Sequence, residues 1–335
     1  MSFGAIAAAD ERSLDLIGLG EVSLDRVIEL DEMPRPGGKH AARSERDSPG
    51  GQIATAVLGC ARLGLRTAFV GAVGDDDAAD RALAPLETAG VDLAAVQRIR
   101  GGRTRKAVVL VEHRGGERSV IEQRDPRVSI DAALLSTAQL EGARALLVDG
   151  SDPQASLEAA QRARAACVAV FLDADRPVSE LEKLLPWVDF PVVSQGFAEE
   201  IGRGISESSK ASISPRDRIS AGLEVLCRAG ARVAVATLGE RGSMARSGNR
   251  EWCSAAFRVA ARDTTGAGDA FRAAWLAEVL AAEDGDENLE LALRRANAAA
   301  AMNCLEQGAQ GGLASCESLD EFLSTHRQDE WHGPS

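Results

Sequence analysis

Short apolar runs alternate with longer amphipathic ones along this chain. "LDLIGLG" (14–20) is apolar at nearly every position and closes on glycine, which predicts a strand buried on both faces. "IATAVLGCARL" (53–63) is helical in composition and stops at Gly64. "RTAFVGAVG" then predicts a strand, and "DDAADRALAPLETAG" a helix closing on Gly90. The strands "ARALLVDG" and "CVAVFLDAD" are followed by the helical stretches "DPQASLEAAQRARAA" and "PVSELEKLLPWV". "FPVVSQ" and "RVAVATLG" are further strands, and from Asp269 to His326 the pattern is almost wholly helical. Such alternation predicts an α/β fold, a three-layer α/β/α arrangement around a mainly parallel sheet.

Two segments break the alternation. "DRVIELDEMPRPGGKHAARSERDSP" (25–49) and "TRKAVVLVEHRGGERSVIEQR" (104–124) carry a two-residue period, the second with a turn expected at Gly115–Gly116. They predict a small sheet standing off the main domain as a lid over the crevice where doubly wound folds bind ligands. The expected division is a core of 14–25, 49–102 and 126–323, a β lid of 26–48 and 103–125, and flexible tails at 1–13 and 324–335. The polar stretch "RGISESSKASISPRDR" (203–218) is expected to be a mobile surface insertion.

Composition narrows the function. The net charge of −13 argues against nucleic acid or an anionic membrane as partner, since both require clustered cations. Six cysteines form no CxxC pair and the chain has four histidines, so a zinc site is not expected. The thiols fit buried small hydrophobes in a reducing compartment, and "MSFGAIAAADERS" is a poor signal peptide, so a cytoplasmic protein is expected. No apolar run approaches the roughly 20 residues of a membrane helix.

Three glycine clusters compete as phosphate sites. "GLGEVS" (18–23) begins like a dinucleotide fingerprint but has Ser23 where the third glycine belongs. "PGGKH" (36–40) lacks the hydroxyl residue and the earlier glycine of a Walker loop. "DTTGAGDAF" (263–271) places Gly266 and Gly268 at the mouth of a helix, whose free N–H groups attract anions. Asp269 follows at once. Beside a bound phosphate a carboxylate makes sense as a general base that accepts a hydroxyl proton during attack on the γ-phosphorus. Taken alone, it reads equally as a helix-start carboxylate favoured by the dipole.

These residues resemble the ribokinase, or PfkB, family of sugar and nucleoside kinases. "DTTGAGDAF" matches its C-terminal signature, and "GGQIATAVLGCARLG" (50–64) with "GAVGDD" (71–76) its N-terminal one; the likeness runs from about Leu14 to Phe322. The resemblance implies ATP-dependent phosphorylation of a sugar hydroxyl, on a ketose or a sugar derivative including an anionic one. A nucleoside kinase of the same fold and a non-catalytic sensing homologue are the alternatives. It implies Asp269 as base and Gly266, Ala267 and Gly268 as anion hole. On the substrate side it implies Asp25, Gly50, Gly51 and Thr55, with Asn usual in the family where Thr55 stands. On the nucleotide side it implies Thr237, Gly239, Gly242 and Asn297. Asp263, Thr265 and Gly308 fall where some members bind a monovalent cation such as K⁺.

The family's Mg²⁺-organising Asn-x-x-Glu is matched here by Ser194 and Phe197 in "SQGFAEE", which leaves Glu199 or Glu200 to compensate unless both belong to a solvated helix face. Mg²⁺ is still expected with ATP, carried by the nucleotide's own phosphates. Lys39, Arg43, Arg103, Arg105 and Lys106 make the lid cationic; they are either a solvated edge or readers of an anionic substituent. Lid strands in the family often pair between subunits, which implies a homodimer.

Overall fold

The structure, a computed structural model, describes residues 6, 12–113, 118–176, 180–206, 214–282, 288–331 and 333. Strand β1 (Leu14–Leu19) is buried at every position after the first and lies well inside a nine-stranded sheet. The chain continues through β2 (Ser23–Leu30), β3 (Ala42–Gly50), α1 (Gln52–Arg62), β4 (Thr67–Gly74), α2 (Asp77–Thr88) and β5 (Val96–Ile99). Next come β6 (Lys106–Glu112), β7 (Arg118–Gln123), α3 (Thr137–Glu141), β8 (Ala143–Asp149), α4 (Pro153–Ala165) and β9 (Ala169–Ala174). Then follow α5 (Leu181–Leu184), β10 (Phe190–Ser194), α6 (Gln195–Ser206), α7 (Pro215–Ala229), β11 (Ala234–Thr237), β12 (Ser243–Ser247) and β13 (Arg250–Ser254). Helices α8 (Ala267–Ala281), α9 (Asn288–Asn303) and α10 (Cys316–Thr325) complete the described elements.

The large sheet has the order β13-β12-β11-β10-β9-β8-β1-β4-β5. All its pairs are parallel except β11–β12 and β12–β13. Successive side chains of a strand point to opposite faces, and the core divides accordingly. Leu16, Leu147 and Phe171 pack with α1, α8 and α9, while Ile17, Leu146 and Val170 pack with α4, α6 and α7. This is the three-layer arrangement the alternation predicts.

The two off-pattern segments form a separate sheet of order β3-β2-β6-β7. Within it, β2 pairs antiparallel with β3 and β6 with β7, and the two hairpins meet through a parallel β2–β6 ladder. Val27, Ala107 and Val109 form its own small core. The expected Gly115–Gly116 turn lies outside the described residues.

Three local expectations change. The hairpin β12–β13, turning through Gly248 at φ 56°, was not anticipated. The stretch expected to be a mobile insertion is helical at both ends: α6 reaches Ser206, and Ser214 caps α7 by accepting from the Asp217 amide, with Pro215 at the first position, where its missing N–H costs nothing. Residues 207–213, the rest of that insertion, lie outside the described residues. Downstream of α10, Gln328 donates to Ser254 Oγ at 2.8 Å, and Arg216 lies over the Trp331 ring at 5.5 Å, so this stretch is attached where a loose tail was expected.

Candidate active site

The first turn of α8 is shaped by its neighbours. Gly266 caps the helix at φ 75°, and a Cβ there would lie 2.2 Å from the Ala309 carbonyl oxygen. Only glycine fits such a position without strain. The first amides of α8 have no carbonyl partner within the helix, and that of Ala267 makes only a long 3.4 Å bond to Thr264 O. Asn303, fully buried, holds the loop by donating to Thr265 O at 2.9 Å and Ala309 O at 3.2 Å.

Asp263 accepts from the amides of Thr265 and Gly308, each at 2.9 Å, and from Arg46 Nη2 at 3.2 Å. Burial pushes its carboxyl up, but these donors win and hold it below the ordinary range. The structure thus brings Asp263, Thr265 and Gly308 together.

A cleft of about 1250 Å³ opens beside this turn, lined by Ala267 and Gly268 on one side and by Thr237, Gly239, Gly242 and Asn297 on the other. A Cβ at Gly242 (φ 96°) would meet Ser254 O at 2.0 Å, so its tight turn also requires glycine. Asn297 donates its amide to Ser243 Oγ at 3.0 Å and Ser254 O at 3.1 Å, fixing its orientation on the cleft wall. Ser194 stands apart: its hydroxyl donates to Asp175 O at 2.7 Å and accepts from Phe197 N at 3.1 Å, so it starts α6. Phe197 is core. Glu199 accepts from Gln195 Nε2 at 2.6 Å, and Gln195 in turn accepts from Arg241 on the cleft wall.

Asp269 belongs to the same turn of α8, and its side chain is only 13% exposed. Burial pushes its carboxyl up to about 8, against the opposing pull of Arg272. Asp175, Glu21 and Asp149 add to the rise, because all three lie at or just beyond the C-terminal ends of neighbouring parallel strands. Glu21 is itself raised to about 7 by burial, although Arg105 and Arg124 press against it. Asp149, fully buried, accepts from the Glu21 amide at 3.1 Å and the Ser151 amide at 2.9 Å.

Asp25 lies on the lid side of this group. Its Oδ1 accepts from Ala107 N at 3.0 Å, and a Cβ at Gly50 would come within 2.7 Å of its Oδ2. Burial raises its carboxyl, opposed by Ser23, Arg105 and the Ala107 amide. Gly51, at φ 93°, caps α1 with its Cα against the Glu21 carbonyl, where a Cβ would lie 2.5 Å from the oxygen. Arg105 pairs with Glu21 and lowers the Asp25 carboxyl, Gly50 and Gly51 lie against Asp25 and the Glu21 backbone, and the Glu21 charge in turn acts on Asp269.

Thr55 and Lys39 do not join them. Thr55 is fully buried and its hydroxyl accepts from Gln310 Nε2 at 3.3 Å. Lys39 is exposed in the β2–β3 connection, and among the described residues no polar contact ties it to Asp25. Of the cationic lid residues, Arg43 pairs with Asp31 and Arg105 with Glu21 and Glu122. The carboxylates Glu21, Asp149, Asp173 and Asp175 and the cations Arg124 and Arg272 went unread in the sequence. The available signal was a carboxylate closing each of "LIGLGE", "ALLVD" and "FLDAD", the strand ends where parallel sheets place ligands.

The sequence matches the model for pfkB family carbohydrate kinases over residues 14–316. A nucleoside kinase from Methanothermobacter thermautotrophicus is 29% identical, over 92% of this chain and 96% of its own. An ATP-dependent ribose-1-phosphate kinase from Halopiger xanaduensis is 27% identical, over 92% of this chain and 98% of its own. The structure of Arabidopsis thaliana ribokinase complexed with ribose and ATP shares the fold with a TM-score of 0.72 at 23% identity, covering 92% of this chain and 98% of that one.

Proposed function

The chain belongs to the pfkB family of carbohydrate kinases, and on that basis we propose that it transfers the γ-phosphoryl group of ATP to a sugar hydroxyl with Asp269 as general base. It is a phosphotransferase with an alcohol group as acceptor, as the family is. The observation that carries the finer reading is the division of labour within one helical turn. Ala267 and Gly268 line the nucleotide-sized cleft, while Asp269 is influenced by the carboxylates at the strand ends.

In this proposal ATP lies in the cleft with its terminal phosphate against the first amides of α8. The acceptor lies between Asp25 and Asp269, its hydroxyls oriented by Asp25 and the chain at Gly50–Gly51. Asp269, once ionised, takes the hydroxyl proton as the oxygen attacks the γ-phosphorus, and the bond to the leaving ADP oxygen breaks. The α8 amides, with Gly266 shaping their turn, stabilise the charge on the transferring group. Thr237, Gly239, Gly242 and Asn297 seat the nucleotide.

Mg²⁺ fits the reading as an ion brought by ATP. Among the described residues no group of three or more His, Cys, Asp or Glu could hold a metal, and Glu199 is already bonded to Gln195. A monovalent cation, K⁺, is proposed for the loop where Asp263, Thr265 and Gly308 meet, so replacing K⁺ with tetramethylammonium is expected to lower the rate. A homodimer through the lid is proposed from Val120 and Ile121, 51% and 59% exposed on the outer strand β7. No described helix is long and apolar enough to cross a membrane.

For the acceptor, an uncharged sugar is favoured over an anionic one, because Arg105 and Arg124 already face Glu21 and Glu122. Nucleosides are the second reading, supported by the nucleoside kinase relative from Methanothermobacter thermautotrophicus. Incubation with ATP and Mg²⁺ against a panel of ketoses, aldoses, sugar phosphates and nucleosides, followed by ADP release, tests this. Turnover confined to nucleosides would replace the sugar reading, and turnover confined to sugar phosphates would replace the uncharged one.

A further inference from the structure

Behind the anion-binding turn lies a buried cation that the mechanism above does not use. Arg272, 4% exposed, stands one turn beyond Asp269 on α8, with Nη1 3.7 Å from Asp269 Oδ1. A Cβ at Gly268 would lie 2.5 Å from that same Nη1, so the bare glycine is what admits the guanidinium beside the base. Its Nη2 donates to Asp175 Oδ1 at 3.0 Å and is 2.7 Å from Asp173 Oδ1, an ion-pair contact without hydrogen-bond alignment. The other oxygen of Asp175 accepts from Gln52 Nε2 at 2.6 Å, and Gln52 is the first residue of α1, immediately after Gly50–Gly51. A single chain of contacts therefore runs from the acceptor loop through Gln52, Asp175 and Arg272 to Asp269.

We propose that Arg272 is the positioning residue of the base, fixing the Asp269 carboxylate from behind Gly268 and coupling its placement to the acceptor loop through Asp175 and Gln52. The inference rests on Asp269 being the base. The electrostatics agree with the geometry. Asp269 faces Arg272 on its own helix, Asp173 and Asp175 at the end of β9, Glu21 beyond β1 and Asp149 at the end of β8; Arg272 is the cation among them. A carboxylate surrounded by carboxylates in a buried site stays protonated unless a positive charge opposes them. Arg272 is shared between Asp269 and its competitors Asp173 and Asp175, so removing a competitor and removing Arg272 must act in opposite directions.

The test is the pH dependence of kcat for Arg272→Gln and Asp175→Asn, with Asp269→Asn measured in parallel. Arg272→Gln is expected to lower kcat and move the rising limb at least one pH unit upward, with KM for ATP changed less than threefold. Asp175→Asn is expected to move the limb downward. The Asp175 side chain is 53% exposed, so this variant decides the matter should Arg272→Gln fail to fold. If the limb stays in place in Asp175→Asn, or moves upward, the positioning role is overturned. The base assignment fails separately, if Asp269→Asn keeps its full rate.

Discussion

Arg46 on β3 donates to the Asp263 carboxylate across 3.2 Å, tying the small sheet to the loop that leads into α8. The pair is largely shielded, with the two side chains 29% and 8% exposed. It is a charged hydrogen bond between the small sheet and this loop, and Arg118 on β7 adds a second, donating to Thr264 Oγ1 at 3.3 Å. Arg46→Met should therefore lower kcat/KM for the acceptor by roughly tenfold, the scale of one such bond, with a smaller effect on ATP. Steady-state kinetics with each substrate varied in turn checks this, and a larger loss for ATP would contradict it.

Asp269→Asn keeps the shape of the side chain and removes its capacity to take a proton. The rate should fall roughly 10²–10⁴-fold, the usual contribution of a positioned base, while ATP still binds. Calorimetry and ADP release on the same preparation distinguish loss of chemistry from loss of binding.

Stability should carry the signature of the same group. The Asp269 carboxyl is raised from 3.8 to about 8, so between these values the folded chain holds a proton that the unfolded chain has released. The stabilisation is complete below about pH 4 and is lost as pH rises to about 8. Glu21, raised to about 7, acts with the same sign in both proteins. Denaturant titrations of the parent and Asp269→Asn should thus show the variant gaining relative stability from pH 5 to pH 9. A constant gap would contradict the raised carboxyl.

Gly266→Ala meets two obstacles, a backbone at φ 75° and the Ala309 oxygen 2.2 Å from the new methyl. The left-handed conformation alone costs about 1–2 kcal/mol, and the contact forces the loop to shift. Thermal unfolding should show a lowered Tm, and the rate should fall by more than stability alone explains, because the α8 amides move.

Asp25 and Thr55 should separate cleanly. Thr55→Val removes a hydroxyl turned toward Gln310, so it should lower stability by about 1 kcal/mol and leave KM for the acceptor within about twofold. Asp25→Asn, beside Gly50, should raise that KM by roughly tenfold or more. Equal effects on KM would restore Thr55 to the acceptor side.

Much of this architecture could be read from local pattern. The runs ending in Gly20, Gly150 and Asp175 gave their strands because apolar residues at most positions admit little else, and "DTTGAGDAF" placed the helix mouth within a residue. The β12–β13 hairpin was missed although "GN" separates its two short strands, because "SMARS" and "REWCS" lack a clear apolar alternation. The charged side of the site was harder to see for another reason. Glu21, Asp149 and Asp175 are far apart in the chain and carry no motif individually; they converge because strands β1, β8 and β9 are neighbours in the sheet. Arg272 carries no motif either; its place beside the base depends on the room that Gly268 leaves for it. Thr55 was assigned outward by analogy, and the partner that holds it, Gln310, is 255 residues away.

The two sides of the proposed site are made of different material. Where ATP is proposed to lie, the cleft wall includes the glycines at 239, 242 and 268, beside the turn that Gly266 caps, whereas the side proposed for the acceptor, outside that cleft, is a lattice of charged side chains that includes Glu21, Asp25, Asp149 and Arg105. Main chain cannot be exchanged by point mutation, but side chains can. On the proposed reading, evolution is free to retune which alcohol enters without disturbing how the donor is gripped, and an engineer seeking a new acceptor should begin with the lattice and leave the glycines alone.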